Sequence, residues 1–372
     1  MGGAVGVLVN PIAGFGGPRG LHGTDGLTDD QFDQAAAEGR AAERMVRAVR
    51  RMLADTRDVE IVAPAGVLGA DSLAAAGIPH RTVRGAATSR TDSSDTRAAV
   101  AELQGAGVSA LLFAGGDGTA VDVAASVAPG LAVVGVPAGV KMHSEVFARS
   151  PEGAGRLLAQ WATGDASLGT AEVLDVGVDG RIAPLAVVSA PRGREALQRA
   201  KSVAPPSAER EAVARDVVAA AAPDTTWIIG PGTGAGAVAE LLGFEPTLRG
   251  VDVGRADGSV EFDVDERRLL EIVSASPRPR LVLGVVGGQG FLLGRGNQQI
   301  SPRVVAAIGA GAVEVVATTA KVGALTPPVL LVDSDAAGAH PLLGYRRVRT
   351  GARQSVVMKV LDAAADPHPT GP

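Results

Sequence analysis

Residues 111–119, LLFAGGDGT, carry an apolar run into two glycines, an aspartate, a third glycine and a threonine. Ser109–Ala114 reads as a buried strand and Thr119–Ala128 as a helix. Between them Gly115, Gly116 and Gly118 lack Cβ atoms, so the backbone can approach a ligand closely and take positive φ where needed. The N–H groups opening the next helix then face an anion, with the helix dipole behind them. Asp117, set among such amides, suits holding a metal or accepting a proton from a hydroxyl beside a phosphate chain. That chemistry is phosphoryl transfer. The same residues also suit a plain strand–helix turn with an aspartate cap.

Three further turns have related chemistry. In Val134–His143, VGVPAGVKMH, a second apolar strand empties into a turn with Pro137, Gly139, Lys141 and His143. Lys141 is one of only four lysines in a chain otherwise rich in arginine, and a compact ammonium there suits a phosphate or ribose. In Trp227–Leu242, WIIGPGTGAGAVAELL, the glycines Gly230 and Gly232 and the Thr233 hydroxyl form a second anion cradle; the loose GxGxxA reading ending at Ala235 is too weak for a dinucleotide fingerprint. In Gly284–Ser301, GVVGGQGFLLGRGNQQIS, the amides Asn297, Gln298 and Gln299 suit a base or ribose and Arg295 a phosphate, among six crowded glycines. A capped turn before the helix at Pro302 is the simpler alternative. No GxxxxGK[ST] is present, which excludes a P-loop. No cluster of His and carboxylates has metal-ligand spacing, so a cation would be Mg²⁺ or another divalent ion held by substrate phosphates with Asp117, and Asp122 one turn further on.

Elements that position these turns alternate along the first part of the chain. Strands are expected at Ala4–Asn10, Val59–Val62, His80–Val83, Ser109–Ala114 and Leu131–Val136. Helices are expected at Ala41–Leu53, Leu68–Ala76 and Thr96–Gln104, with Gly20–Gly39 polar and irregular. This alternation implies a doubly wound, mostly parallel sheet with ligands beyond the carboxyl ends of its strands. Asn10, Asp117 and the PAGVKMH turn all fall on that edge. Beyond Val136 the texture changes: a helix at Pro151–Thr163 is followed by strands joined across Asp179-Gly180, and then by mixed strands and helices. The expected organisation is an α/β domain over 1–150, a second domain over 151–361 and a flexible tail over 362–372.

The 372 residues suffice for two cores, and only 3% are aromatic, so Val, Leu, Ile and Ala must fill them. The net charge of −5 argues against a nucleic-acid binder. Absence of cysteine excludes disulfides and thiol chemistry. The opening MGGAVGVLVNP lacks a basic leader, and the longest apolar run, Leu281–Leu293, is broken by glycines and Gln289. A cytoplasmic setting without membrane association is expected.

Together LVNPIAGFGG, GLHGTDG, FAGGDGTA, GVPAGVKMHSEVFA, IIGPGTGAGAVAELLG, GGQGFLLGRGNQQISP and VVATTAKVGAL resemble the ATP-NAD kinase family. The pattern is that of its divergent branch of polyphosphate- or ATP-dependent NAD kinases, linked to acetoin-catabolism genes. GGDGT alone is shared with diacylglycerol and sphingosine kinases. The resemblance implies an NAD kinase-like α/β fold with a β-rich α+β C-terminal domain, and a homo-oligomer. It also implies a kinase that converts NAD to NADP using ATP or polyphosphate, with Asp117 as the catalytic residue. Lys141 is then expected at the transferring phosphate, and Gly115, Gly116, Gly118 and Thr119 around the phosphates. Asn10, Pro137, Gly139, His143, Gly232, Thr233, Gly288, Gln289, Arg295 and Asn297 are expected to contact nucleotide. The chain departs from the family at Val136–Lys141, where N-x-G-x-L-G-F is usual, and in lacking the Asn-Glu pair for the nicotinamide nucleotide. A lipid kinase or a non-catalytic nucleotide-binding regulator are the alternative readings.

Overall fold

The computed structural model describes residues 3–19, 27–56, 59–86, 90–139, 142–176, 182–193, 197, 208–247, 250–286, 289–333 and 340–365. The chain forms two compact units: one of Met1–Phe15 with Gly23–Ala200, the other of Gly16–His22 with Lys201–Pro372.

The first unit contains β1 (Val5–Val9), α1 (Asp29–Glu38), α2 (Arg40–Asp55), β2 (Ile61–Pro64), α3 (Ala70–Ala75), β3 (Arg81–Val83), α4 (Ser93–Gly105), β4 (Ala110–Gly115), α5 (Asp117–Ala124), β5 (Ala132–Pro137), α6 (Pro151–Thr163), β6 (Ser167–Val176) and β7 (Ile182–Arg192). Five strands pair in parallel in the order β3-β2-β1-β4-β5. Every residue of β1, β4 and β5 is buried, as expected where helices cover both faces of a parallel sheet. The strand order reverses between β1 and β4, which opens the crevice where such sheets bind ligands.

Two local expectations are corrected. Part of the segment read as irregular is helical: Thr28 and Gln31 form a reciprocal capping box that starts α1, and Gly39 at φ 57° ends it. Helix α4 starts at Ser93, ahead of Thr96, because Asp92 and Asp95 form the same device. The boundary read at residue 150 falls inside the first unit, which continues to Ala200. Helix α6 packs on α2 and buries Ala154, Leu157 and Leu158 completely. The antiparallel pair β6-β7 also belongs here; the Asp179-Gly180 turn lies outside the described residues.

The second unit contains α7 (Ala208–Ala219), β8 (Thr226–Ile229), α8 (Thr233–Leu241), β9 (Asp252–Gly254), β10 (Val260–Glu261), α9 (Glu266–Ala275), β11 (Pro279–Gly284), β12 (Phe291–Leu293), α10 (Pro302–Ile308), β13 (Val313–Val316), α11 (Thr319–Gly323), β14 (Val329–Val332), β15 (Gly344–Gly351) and β16 (Gln354–Asp362). Nine strands form one mixed sheet, ordered β10-β9-β8-β11-β13-β15-β16-β14-β12. Alternation along the strands divides the apolar side chains between its faces. Trp227, Ile229 and Val282 pack in one cluster, while Ile228, Leu281 and Leu283 pack in another. Ala363, read as part of the tail, is buried and its N–H donates to Val332 O at 2.8 Å; residues 366–372 lie outside the described residues.

Candidate active site

At the carboxyl end of β4 the chain turns through Gly115 and Gly116 directly into α5, with Asp117 its first residue, so the helix begins two residues before Thr119. A Cβ on Gly115 would lie 2.5 Å from the Thr119 side chain, and one on Gly139 would lie 2.5 Å from Gly116 Cα. The turns after β4 and β5 therefore pack backbone to backbone, joined by the N–H groups of Ala138 and Gly139 donating to Gly115 O at 3.0 and 2.9 Å. Side chains cap α1, α4, α6, α9 and α10, whereas α5 starts from Gly116 without a side-chain cap among the described residues. Its first N–H groups suit water or a phosphate.

Asp117 is 8% exposed and Thr119 5%. Asn10, just beyond β1, donates from Nδ2 to Thr119 Oγ1 at 2.9 Å and accepts Ile12 N–H at 3.3 Å. It ties the end of β1 to the first turn of α5. The Asp117 carboxylate accepts His143 N–H at 2.7 Å on Oδ2, and Ser144 N–H at 3.0 Å and Ser144 Oγ–H at 2.6 Å on Oδ1. His143 thus reaches Asp117 through its backbone. Pro137 O accepts a hydrogen bond from Nε of the buried Arg44. Neither Arg44 nor Ser144 emerged from sequence reasoning. Arg44 had a signal, since it shares a helical stripe with the buried Ala41, Met45 and Ala48; Ser144 had none. Lys141 lies outside the described residues.

Asp122, read as a second cation ligand, is engaged elsewhere. It follows Asp117 by five positions, which points it to another helix face, and it pairs with Arg97 at 2.8 Å.

In the second unit, α8 begins after β8 from Gly232 at φ 102°, again without a side-chain cap among the described residues, and Thr233 is exposed at its start. In the amide-rich loop, side chains expected at the nucleotide make contacts within the protein. Arg295 is buried against Asp333 and stacks over Phe291 at 4.2 Å. Asn297 Oδ1 accepts Gly294 N–H at 2.9 Å, and its Nδ2 donates to Leu292 O at 2.7 Å. Both residues hold the loop together. Gln289 is buried, and Gly288 lies outside the described residues.

Among the described residues no three His, Asp or Glu side chains gather to hold a metal ion, and no helix is long and apolar enough to cross a membrane. The parallel sheet with its glycine-framed aspartate, followed by a sheet-rich unit, defines a two-domain α/β protein. The N-terminal domain of ATP-NAD kinases matches residues 5–166 and their C-terminal domain residues 239–360. The chain belongs to the ATP-NAD kinase family. No curated protein and no solved structure matches it.

Proposed function

We propose that the protein transfers the terminal phosphoryl group of ATP or polyphosphate to the 2′-hydroxyl of the adenosine ribose of NAD, giving NADP. The observation that carries this reading is the fixed carboxylate of Asp117 at the start of α5, in the crevice between β1 and β4. A hydroxyl presented there gives its proton to Asp117 as its oxygen forms a bond to the terminal phosphorus. The bond to the bridging oxygen breaks, and ADP or a shortened polyphosphate leaves. The N–H groups of Gly118 and Thr119 meet the phosphates, and Asn10 keeps Thr119 in place.

The family implies a divalent cation. Asp122 pairs with Arg97, and Asp117 at the start of α5 is a carboxylate that would meet the ion, which fits one held mainly by phosphates and water. Bound there, such a cation neutralises charge on the phosphates. The turn PAGVKMHS, in place of the usual family turn, supports placement in the divergent branch.

NADP formation, read with an NADP-specific dehydrogenase, tests the proposal using NAD, Mg²⁺ and either ATP or polyphosphate. Asp117→Asn is expected to lower kcat by about 10²- to 10⁴-fold, the range for a removed general base. No NADP from either donor with folded wild-type protein would refute NAD as acceptor. Full activity in Asp117→Asn would refute the role of the aspartate.

A further inference from the structure

Strand β6 pairs unevenly with β7. The register shifts between Val173 and Leu174, and Leu174 stands opposite Pro184. Proline has no N–H, so Pro184 gives none to Leu174 O; the Leu174 N–H is a separate group with its own partner. That N–H donates to Ser144 Oγ at 3.0 Å. One residue on, Glu145 N–H donates to Glu172 O at 2.8 Å, and Glu172 N–H donates to Glu145 Oε2 at 3.3 Å. Ser144 and Glu145 therefore lie along β6.

Ser144 is wholly buried, and among the described residues its single hydroxyl proton has two acceptors in reach: Asp117 Oδ1 at 2.6 Å and Leu174 O at 3.2 Å. The carboxylate is both nearer and charged, so the proton goes to Asp117 while the oxygen accepts from Leu174. We propose that Ser144 is a positioning residue for phosphoryl transfer: it links β6 to Asp117 and fixes the rotation of the carboxylate that meets the acceptor hydroxyl. This rests on the catalytic role given to Asp117 above. The second side-chain torsion of an aspartate is broad and two-fold, so its plane is set by its hydrogen-bond donors, here two backbone N–H groups, one on each oxygen, together with the Ser144 hydroxyl. The hydroxyl adds a donor anchored to β6 through Leu174.

Ser144→Ala removes the hydroxyl, and Ser144→Cys keeps a group of similar size but offers only a weak S–H donor. Both variants are expected to lose kcat for NADP formation by about 10- to 100-fold, the scale of a small misplacement at a reacting centre. Their KM values for NAD and donor should stay within about twofold, since ground-state binding is untouched. Wild-type kcat in the Cys variant would show that Ser144 only fills space, and a rise in KM matching the fall in kcat would show damaged binding; either overturns the proposal. If the wild type forms no NADP, the proposed function fails, and amide hydrogen exchange at His143 decides the positioning role independently. Faster exchange in Ser144→Ala than in wild type supports it, because that amide donates to the same carboxylate. Equal exchange overturns it.

Discussion

Arg44 sits on the buried stripe of α2 and donates from Nε to Pro137 O, where β5 gives way to the turn that meets Asp117. A guanidinium in an apolar stripe is expensive to desolvate, so its persistence there reflects the carbonyl it satisfies. Arg44→Met keeps the length and apolar stem but leaves that buried carbonyl without this donor. Unfolding of the first unit in urea should show a loss of about 1–3 kcal/mol, the penalty for an unsatisfied buried acceptor. Unchanged stability would mean that the contact is dispensable. Arg295 teaches the complementary lesson. Its type and glycine-rich setting suggest phosphate, and the pairing that the structure adds is with Asp333, in a distant stretch of sequence beside β14. Nothing near Arg295 in sequence announces that pairing. Asp117 stands out in the sequence because glycines frame it; the contact of Ser144 with it could not be read there, because it depends on where β6 passes.

Among the elements, those with continuous apolar runs were the easiest to read. Strands β4 and β5 stand within a residue or so of their expected limits, since six consecutive buried positions leave little ambiguity. Strand β15, GYRRVRTG, escaped notice because arginines mask its alternation. Val348 and Thr350 face inward, and Arg349 is held between Glu314 on β13 and Asp216 on α7. Helix α5 offers a test of what its first turn is for. Gly118 is exposed, and a Cβ there would meet no atom within 4 Å. On helix propensity alone Gly118→Ala should stabilise the protein by about 0.5–1 kcal/mol. If phosphates approach this backbone as proposed, the same methyl group stands in their way. The expected result is a raised melting temperature together with at least a severalfold loss of kcat/KM for NADP formation. A stabilised variant with full activity would remove Gly118 from the phosphate site.

Across the whole molecule the two units can be followed separately, because the chain has two tryptophans. Trp161 lies on α6 of the first unit and Trp227 on β8 of the second. Trp161→Phe therefore leaves fluorescence as a reporter of the second unit alone, which carries a buried histidine. His340 is 4% exposed, and its Nδ1 accepts Leu342 N–H at 3.1 Å, so the ring is held neutral. Burial pushes its pKa down to about 4; Asp362 opposes the shift and Arg346 adds to it. In the unfolded chain a histidine titrates near 6.5. Between these values the unfolded state binds the proton and the folded state does not, so stability falls as pH drops. The full difference is present above the unfolded value and is lost progressively down to about pH 4, amounting to about 2 kcal/mol by pH 5. Urea unfolding at pH 7.5 and 5, followed by Trp227 fluorescence, should show this loss. His340→Gln, which cannot take up the proton, should show a pH dependence smaller by that amount. Equal slopes in the two proteins would mean that His340 becomes protonated in the folded unit without strain. In that case acid sensitivity of the second unit would have to come from its carboxylates, such as Glu261, held at about 2 chiefly by hydrogen bonds from Arg268 and Arg255. That pair of guanidinium groups favours the charged form, so its contribution is lost only in more acidic solution. The two origins separate by pH window, histidine from about 6.5 to 4 and the carboxylate below about 4.5.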